Sequence, residues 1–358
     1  MAISPDVVAT ALNELMPAYS NLFIKWHPLL EKIMEGGNMD RAALKGPKRE
    51  FAVVTDGPGT VTEIATGTEV IAGGRSQNAH RGNVIAPRLI YAFDVPGKDL
   101  AEANGEMDLA RILQHYPELA LADFHELVSN QMGTGVGTGN VGGFATLNGS
   151  TTFNPQGAGT RSGFFEFAAP GAQTNTVHGL AKASVAGWRN QYEDITSFAV
   201  NGRSQMRKAY FAASRQGKTL GPVDLMIGDE ASYLNYIEDL DDQVRVSKVE
   251  GDKGPANVRQ GVKFLDSDFF LDDSIDVSAA TYTGTPAADG VIYGFKTPTW
   301  NMFTLGHDSA RETKGDFALR GPFRIPDQDL YRYEVVLMMG LHTTQLRANF
   351  AVTGAATP

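Results

Sequence analysis

The sequence predicts an α+β protein, and three observations carry that expectation. Apolar residues recur at helical spacing near the start, change to period two between Arg49 and Phe93, and return to helical spacing after Glu106. Glycine supplies 39 of 358 residues, above the usual share of about 7%, which points to many turns, bulges and tight loops. Cysteine is absent, so the chain is stabilised by a packed core without disulfides, and at about 150 residues per domain its length allows two or three compact units.

Taken in order, Ser4 caps a helix with Pro5 at its first position, and Val7, Val8, Ala11, Leu12, Leu15 and Met16 fall at helical spacing. A second apolar run, Leu22, Phe23, Trp26, Leu29, Leu30 and Ile33, reaches the Gly36-Gly37 break, with Pro28 bending or restarting it. These segments must pack onto something, either the rest of the chain or a neighbouring subunit. From Arg49 to Phe93 the alternation of Phe51, Val53, Val61, Ile64, Val70, Ile71, Val84, Ile85, Leu89 and Tyr91 between glycine breaks predicts long β-hairpin strands. The tip is expected at Gly73 to Asn83, a polar segment with Arg75, His80 and Arg81 that needs a neighbour to order it.

Glu106 to Met132 predicts one long helix or two collinear ones, divided at Pro117. Residues 133 to 179 are rich in Gly, Thr and Asn and read as loop or short strands. Helices are expected near Leu180 to Tyr192 and Ser204 to Gln216, then a strand at Val223 to Ile227 and a helix opening at Asp229. Strands are expected around Val262 to Phe270, Val291 to Phe295, Trp300 to Leu305, Tyr331 to Leu341 and Gln345 to Val352. No internal repeat stands out.

The formal net charge is −10, the wrong sign for a protein that grips nucleic acid by neutralising phosphates. Residues 220 to 280 hold 14 acids against 5 bases, whereas residues 70 to 93 carry Arg75, Arg81 and Arg88 and no acid. The two regions are expected either to attract, within or between subunits, or to be solvated surface where charge pairs contribute little. No apolar stretch is long enough to span a membrane and no basic segment followed by an apolar one opens the chain, so neither a membrane span nor a secretion signal is expected.

Several motifs suggest chemistry and lack its context. Gly137-Thr138-Gly139-Asn140-Val141-Gly142 has dinucleotide-fingerprint spacing, but it follows a predicted helix where that motif needs a strand. Ala212 to Thr219 matches a relaxed phosphate loop, with Asp229 in the place of a magnesium ligand. It leaves a helix and enters a strand, the reverse of the order that cradles phosphate, so Gly217 reads as a helix C-cap and Lys218 as a last-turn cation. Asp266, Asp268, Asp272, Asp273 and Asp276 lack the turn glycine and final glutamate of a calcium loop and read as exposed strand ends. The seven histidines show no metal spacing, and no serine sits in a nucleophile elbow. No catalytic residue, metal or cofactor is expected.

The order of elements, an N-terminal helical arm, a long β-hairpin loop, a long helix, a compact α/β unit and final strands, resembles the major capsid proteins of tailed bacteriophages, the Hong Kong 97-type fold. Thr219-Leu220-Gly221-Pro222-Val223-Asp224-Leu225-Met226-Ile227-Gly228-Asp229 with Tyr233-Leu234 is similar to the helix–strand–helix passage of that family's axial domain. Asp327 to Glu334, through Gly340-Leu341-His342 to Arg347 to Gly354, is similar to its closing peripheral strands.

This resemblance implies an arm at residues 1–46 and an extended loop at 47–93. It implies a peripheral domain at 94–195 with a spine helix at 106–132, an axial domain at 196–316, and closing peripheral strands at 317–358. It further implies a shell subunit that meets copies of itself in hexamers and pentamers and encloses double-stranded DNA without reading its sequence. The shell forms in the host cytoplasm and becomes part of the virion, with a separate scaffolding protein, a portal and a decoration protein as partners. Trp26, Leu29, Arg75, His80, Arg81 and Arg88 are the expected contacts between subunits. No lysine lies between Lys48 and Lys98, so the loop-lysine cross-link of some relatives is not expected and the subunits are held noncovalently. Two alternatives stand beside this reading, an encapsulin-type nanocompartment shell and a phosphate-loop enzyme that hydrolyses nucleotides.

Overall fold

A computed structural model describes residues 27–40, 49–55, 79–84, 88–98, parts of 118–126, most of 164–241, 262–272, 290–304 and 317–355. Its named elements begin with α1 (Pro28–Glu35), β1 (Met39–Asp40), β2 (Arg49–Val54), β3 (Ala79–Val84) and β4 (Arg88–Pro96). They continue with β5 (Thr176–Val177), β6 (Leu180–Ala181), β7 (Gln191–Asp194), α2 (Arg203–Gly217), β8 (Leu225–Gly228) and α3 (Glu230–Asp241). β9 (Val262–Phe264), β10 (Ser267–Leu271), β11 (Val291–Phe295), β12 (Trp300–Thr304), β13 (Phe317–Arg324), β14 (Leu330–Thr343) and β15 (Phe350–Thr353) complete the order.

Strand pairing sorts most of these into two sheets. In the first, the 14-residue β14 is the spine: its opening part pairs antiparallel with both β4 and β13, and its end pairs with β12, which takes β1 in parallel. Tyr333, Val335, Val336, Leu337 and Leu341 are buried along it, and Tyr333 stacks on Phe93 of β4 at 5.5 Å. The second sheet has the order β7-β15-β11-β8-β10-β9, with β8 and β15 buried throughout. Such near-continuous apolar strands, Leu-Met-Ile-Gly and Phe-Ala-Val-Thr, belong at the middle of a sheet covered on both faces. α2 lies against β7 and β15 through Met206, Ala209, Tyr210 and Ala213, at helical spacing.

α3 starts where the sequence places it because Asp229 serves as its N-cap. Its carboxylate accepts from Ser232 N, from Ser232 Oγ, and from Val291 N at 2.8 Å, so one buried side chain both starts the helix and joins β8 to β11. Asp229→Ala leaves those donors without an acceptor and should lower stability by about 2 kcal/mol, read as an earlier urea midpoint.

Three expectations change. Leu180 to Tyr192 is not a helix: β6, a turn and β7 replace it. Leu180, Val185 and Trp188 do have helical spacing, but they reach the core from a turn that starts at His178 (φ 54) and Gly179 (φ 77). The hairpin tip is not at Gly73 to Asn83, since residues from Ala79 onward are already strand β3, paired with β2. Asp268 is buried rather than an exposed strand end.

Each sheet joins strands distant in the sequence: β4 and β12 both pair with β14, and β7 and β15 lie together at one edge of the second sheet. Residues 118–119, 122–124 and 126 are helical, with Phe124 buried near Tyr91. The remainder of the expected 106–132 helix, the helix over residues 4–16 and the glycine motif at 137–142 lie outside the described residues.

Candidate assembly surface at the base of the hairpin

The β2–β3 hairpin aligns Phe51 with Gly82, Ala52 with Arg81, and Val53 with His80. Gly82 is required by packing: a Cβ there would sit 2.7 Å from the Phe51 ring. That ring covers His178 at 5.0 Å, edge-on, and His342 at 4.2 Å between centroids. Asn83 N donates to His178 O at 3.0 Å, so backbone and aromatic contacts together hold the hairpin to the body. Phe164, Trp188 and Phe303 enclose the two imidazoles. Burial first and the neighbouring His342 second hold His178 well below the usual imidazole value of 6.5. Its Nε2 accepts from Thr343 N at 3.4 Å, which leaves the neutral ring's proton on Nδ1.

The outer face of the hairpin is an open hollow of about 440 Å³ lined by Glu50, Phe51, Ala52, His80 and Arg81. Arg81 is 77% exposed and pairs with Glu50 at 3.0 Å. It is therefore on a strand and answered within its own hairpin, not at a tip. His80 is half-buried on β3, and Arg88 lies on β4 in register with Met338.

Leu29 has a different place from the one expected. At 1% exposure it is part of the chain's own core with Leu30 and Ile33, so it has no surface left for a neighbour. α1 begins at Pro28, the restarting alternative, and is tied to β10 and the residue after it: His27 Nε2 lies 3.0 Å from Asp272 Oδ2, and Lys32 pairs with Asp268 at 3.5 Å. Trp26 and Arg75 lie outside the described residues.

Several of the described acids in residues 220–280 have partners inside the chain. Asp224 accepts from Thr297 N at 2.8 Å and faces Lys296, Asp268 also pairs with Lys263 at 2.8 Å, and Asp239 pairs with Arg203. Sequence reading missed these partnerships because every partner except Lys263 lies outside the acidic segment. Among the described residues no group of His, Asp or Glu is arranged to hold a metal, and no helix is long and apolar enough to cross a membrane. α2 ends at Gly217 and the strand β8 follows it, the reverse of the strand-then-helix order of a phosphate loop; Lys218 and Thr219 lie outside the described residues.

This architecture, a long-stranded sheet, a second compact sheet with two helices, and a hairpin lying beside them, is an α+β fold of the Hong Kong 97 type. Among solved structures, the cyanophage A-1(L) capsid asymmetric unit matches at a TM-score of 0.53 and 13% identity, over 90% of this chain and 92% of that one. The capsid of a native GTA particle matches at 0.51 and 9% identity, over 90% of each chain. The SrpI encapsulin complex from Synechococcus elongatus PCC 7942 matches at 0.50 and 8% identity, over 90% of this chain and 87% of that one. No protein-family model matches the chain, and no curated protein matches it.

Proposed function

We propose that the chain is a major capsid protein that assembles with copies of itself into an icosahedral head shell around double-stranded DNA. The observation that carries this reading is the end-to-end correspondence with a phage capsid subunit, over about nine-tenths of both chains. The net charge of −10 supports it, because a shell that bound phosphate strongly would oppose both packing and release of the genome. Its role is structural: a shell built from one chain needs surfaces that tolerate slightly different neighbours in hexamers and pentamers. Assembly takes place in the host cytoplasm with a separate scaffolding protein, a portal and a decoration protein, and the product is the virion.

Within this reading the hairpin crosses onto a neighbouring subunit, with Arg75, His80, Arg81 and Arg88 among its contacts. The segment that contains Trp26 reaches another. Residues 1–46 act as the arm, 47–93 as the extended loop, 94–195 with the 106–132 spine helix and 317–358 as the peripheral part, and 196–316 as the axial part. Deleting residues 2–26, which keeps α1 with its buried Leu29, Leu30 and Ile33, should sharply reduce closed shells in negative-stain electron microscopy, with retention of the fold checked by circular dichroism. Normal shells from the deleted chain would remove the arm from the account.

The encapsulin match favours a second reading, a nanocompartment shell. Electron microscopy of the purified protein, with nucleic-acid and co-purified protein content measured on the same particles, separates the two. Closed shells that co-purify with a portal and package DNA support the first, shells filled with one cargo protein support the second, and a monodisperse monomer under assembly conditions overturns both.

A further inference from the structure

One buried ionisable cluster lies outside the set of expected subunit contacts. Lys182 follows β6 and is fully buried, which lysine almost never is without dedicated partners. Its Nζ lies 3.0 Å from Asn190 Oδ1, 2.9 Å from Phe164 O and 3.7 Å from Glu166 Oε2. Asn190, also fully buried, is held on every side. Its Nδ2 donates to Glu166 O and Gln191 O, and its Oδ1 accepts from Glu166 N at 3.0 Å. Its backbone exchanges two hydrogen bonds with the Gln173 amide. Glu166 is fixed in turn, accepting from Thr174 N at 2.9 and 3.1 Å. An amine, a carboxamide and a carboxylate thus meet in a site that excludes water.

These are the parts needed to make an amide bond. We propose that Lys182 and Asn190 of the same chain join in an isopeptide bond, with Glu166 carrying the proton. Neutral Lys182 Nζ attacks Asn190 Cγ, forming the N–C bond. The negative charge that develops on Oδ1 is met by the Glu166 backbone N–H, already in place as an oxyanion donor. The Glu166 carboxylate takes a proton from Nζ and delivers it to Nδ2, the Cγ–Nδ2 bond breaks, and ammonia leaves. Nothing is oxidised or reduced, and no other reactant is consumed.

Proximity supplies the driving arrangement, since reactants fixed a few ångströms apart behave as if at very high concentration. Burial lowers the Lys182 amine to about 7, so that a neutral nucleophile is present near neutral pH. The product closes the turn between β6 and β7 within one subunit. It is a single-turnover reaction, and it is independent of any contact between subunits.

The test is intact mass and peptide mapping of the full-length purified protein after folding at pH 8. The expected result is a loss of about 17 Da, one ammonia, with a branched tryptic product in which residues 162–189 and 190–203 are joined through Lys182 and Asn190. The same protein kept in denaturant from synthesis onward should retain full mass. Glu166→Gln, which keeps the side chain's shape but takes no proton, should slow bond formation by a hundredfold or more. A linear peptide ending at Lys182 in the folded wild-type protein overturns the proposal whether or not that variant folds. So does a 17 Da loss that maps to a succinimide at Asn104-Gly105, Asn148-Gly149 or Asn201-Gly202.

Discussion

Trp300→Ala should lower stability by about 3–5 kcal/mol, read as the shift of the equilibrium urea midpoint at constant slope. The indole is fully buried at the start of β12 and touches Phe164, Phe165 and Phe295 at 4.8, 6.4 and 5.4 Å between ring centroids. Its Nε1 donates to Asn349 Oδ1 at 2.8 Å, and that oxygen also accepts from Lys296 N. β12 belongs to the first sheet and Asn349 immediately precedes β15 of the second. Removing the ring therefore opens a large cavity where the two sheets meet and strips one partner from a buried amide. Trp300→Phe keeps most of the volume and should recover more than half of the loss.

Acid should release the hairpin before it unfolds the rest of the chain. His178 titrates well below 6.5 when folded and near 6.5 when unfolded, so the unfolded chain binds more protons once the pH falls below about 6.5. Stability is therefore full above that value and is lost progressively as the pH drops toward the folded value. Charging His178 beside His342, under the Phe51 ring, places a cation in an apolar enclosure with a second imidazole 6.3 Å away. Protection factors of the Phe51 and Asn83 amides, taken relative to the intrinsic exchange rate at each pH, should fall between pH 7 and pH 5 by at least tenfold, ahead of those in β8 and β11. His178→Asn, which tolerates the φ of 54°, should flatten this dependence. Unchanged acid sensitivity in that variant would assign the effect elsewhere.

Much of the order of elements is legible from local pattern. Proline at the start and a Gly-Gly break at the end delimit α1, the apolar run Val291–Phe295 is β11 as expected, and α2 falls within a residue of its expected limits. In each case the local signal, a cap, a period or a breaker, agrees with the tertiary environment. Where they disagree, tertiary contacts prevail. Residues 180–192 have helical spacing, yet they contain the buried Lys182 and Asn190, whose hydrogen bonds run to Glu166, Phe164 and Gln173 in the segment before. A helix there would not bring those groups together.

The assembly residues divide in the same way. Arg81 and His80 were visible as a basic, polar stretch, but which residues were strand and which were tip depended on pairing with β2. Leu29 was visible as one apolar position among several, and only the packed chain assigns it to the interior. Nothing in the sequence marks Asp268 and Asp272 as partners of α1, because those groups are more than 200 positions away along the chain.

By itself the sequence determined the α+β class, the order of most described elements and the absence of cysteine, because composition and periodicity are local properties that any fold of this chain must satisfy. The tertiary structure alone decided which strands share a sheet, that Asp224, Asp239 and Asp268 are paired within the chain, and that His178 and His342 lie beneath the hairpin. It also decided that Lys182, Asn190 and Glu166 share one dry site. Those outcomes rest on pairings between distant residues, where burial sets the strength of each charge and hydrogen bond.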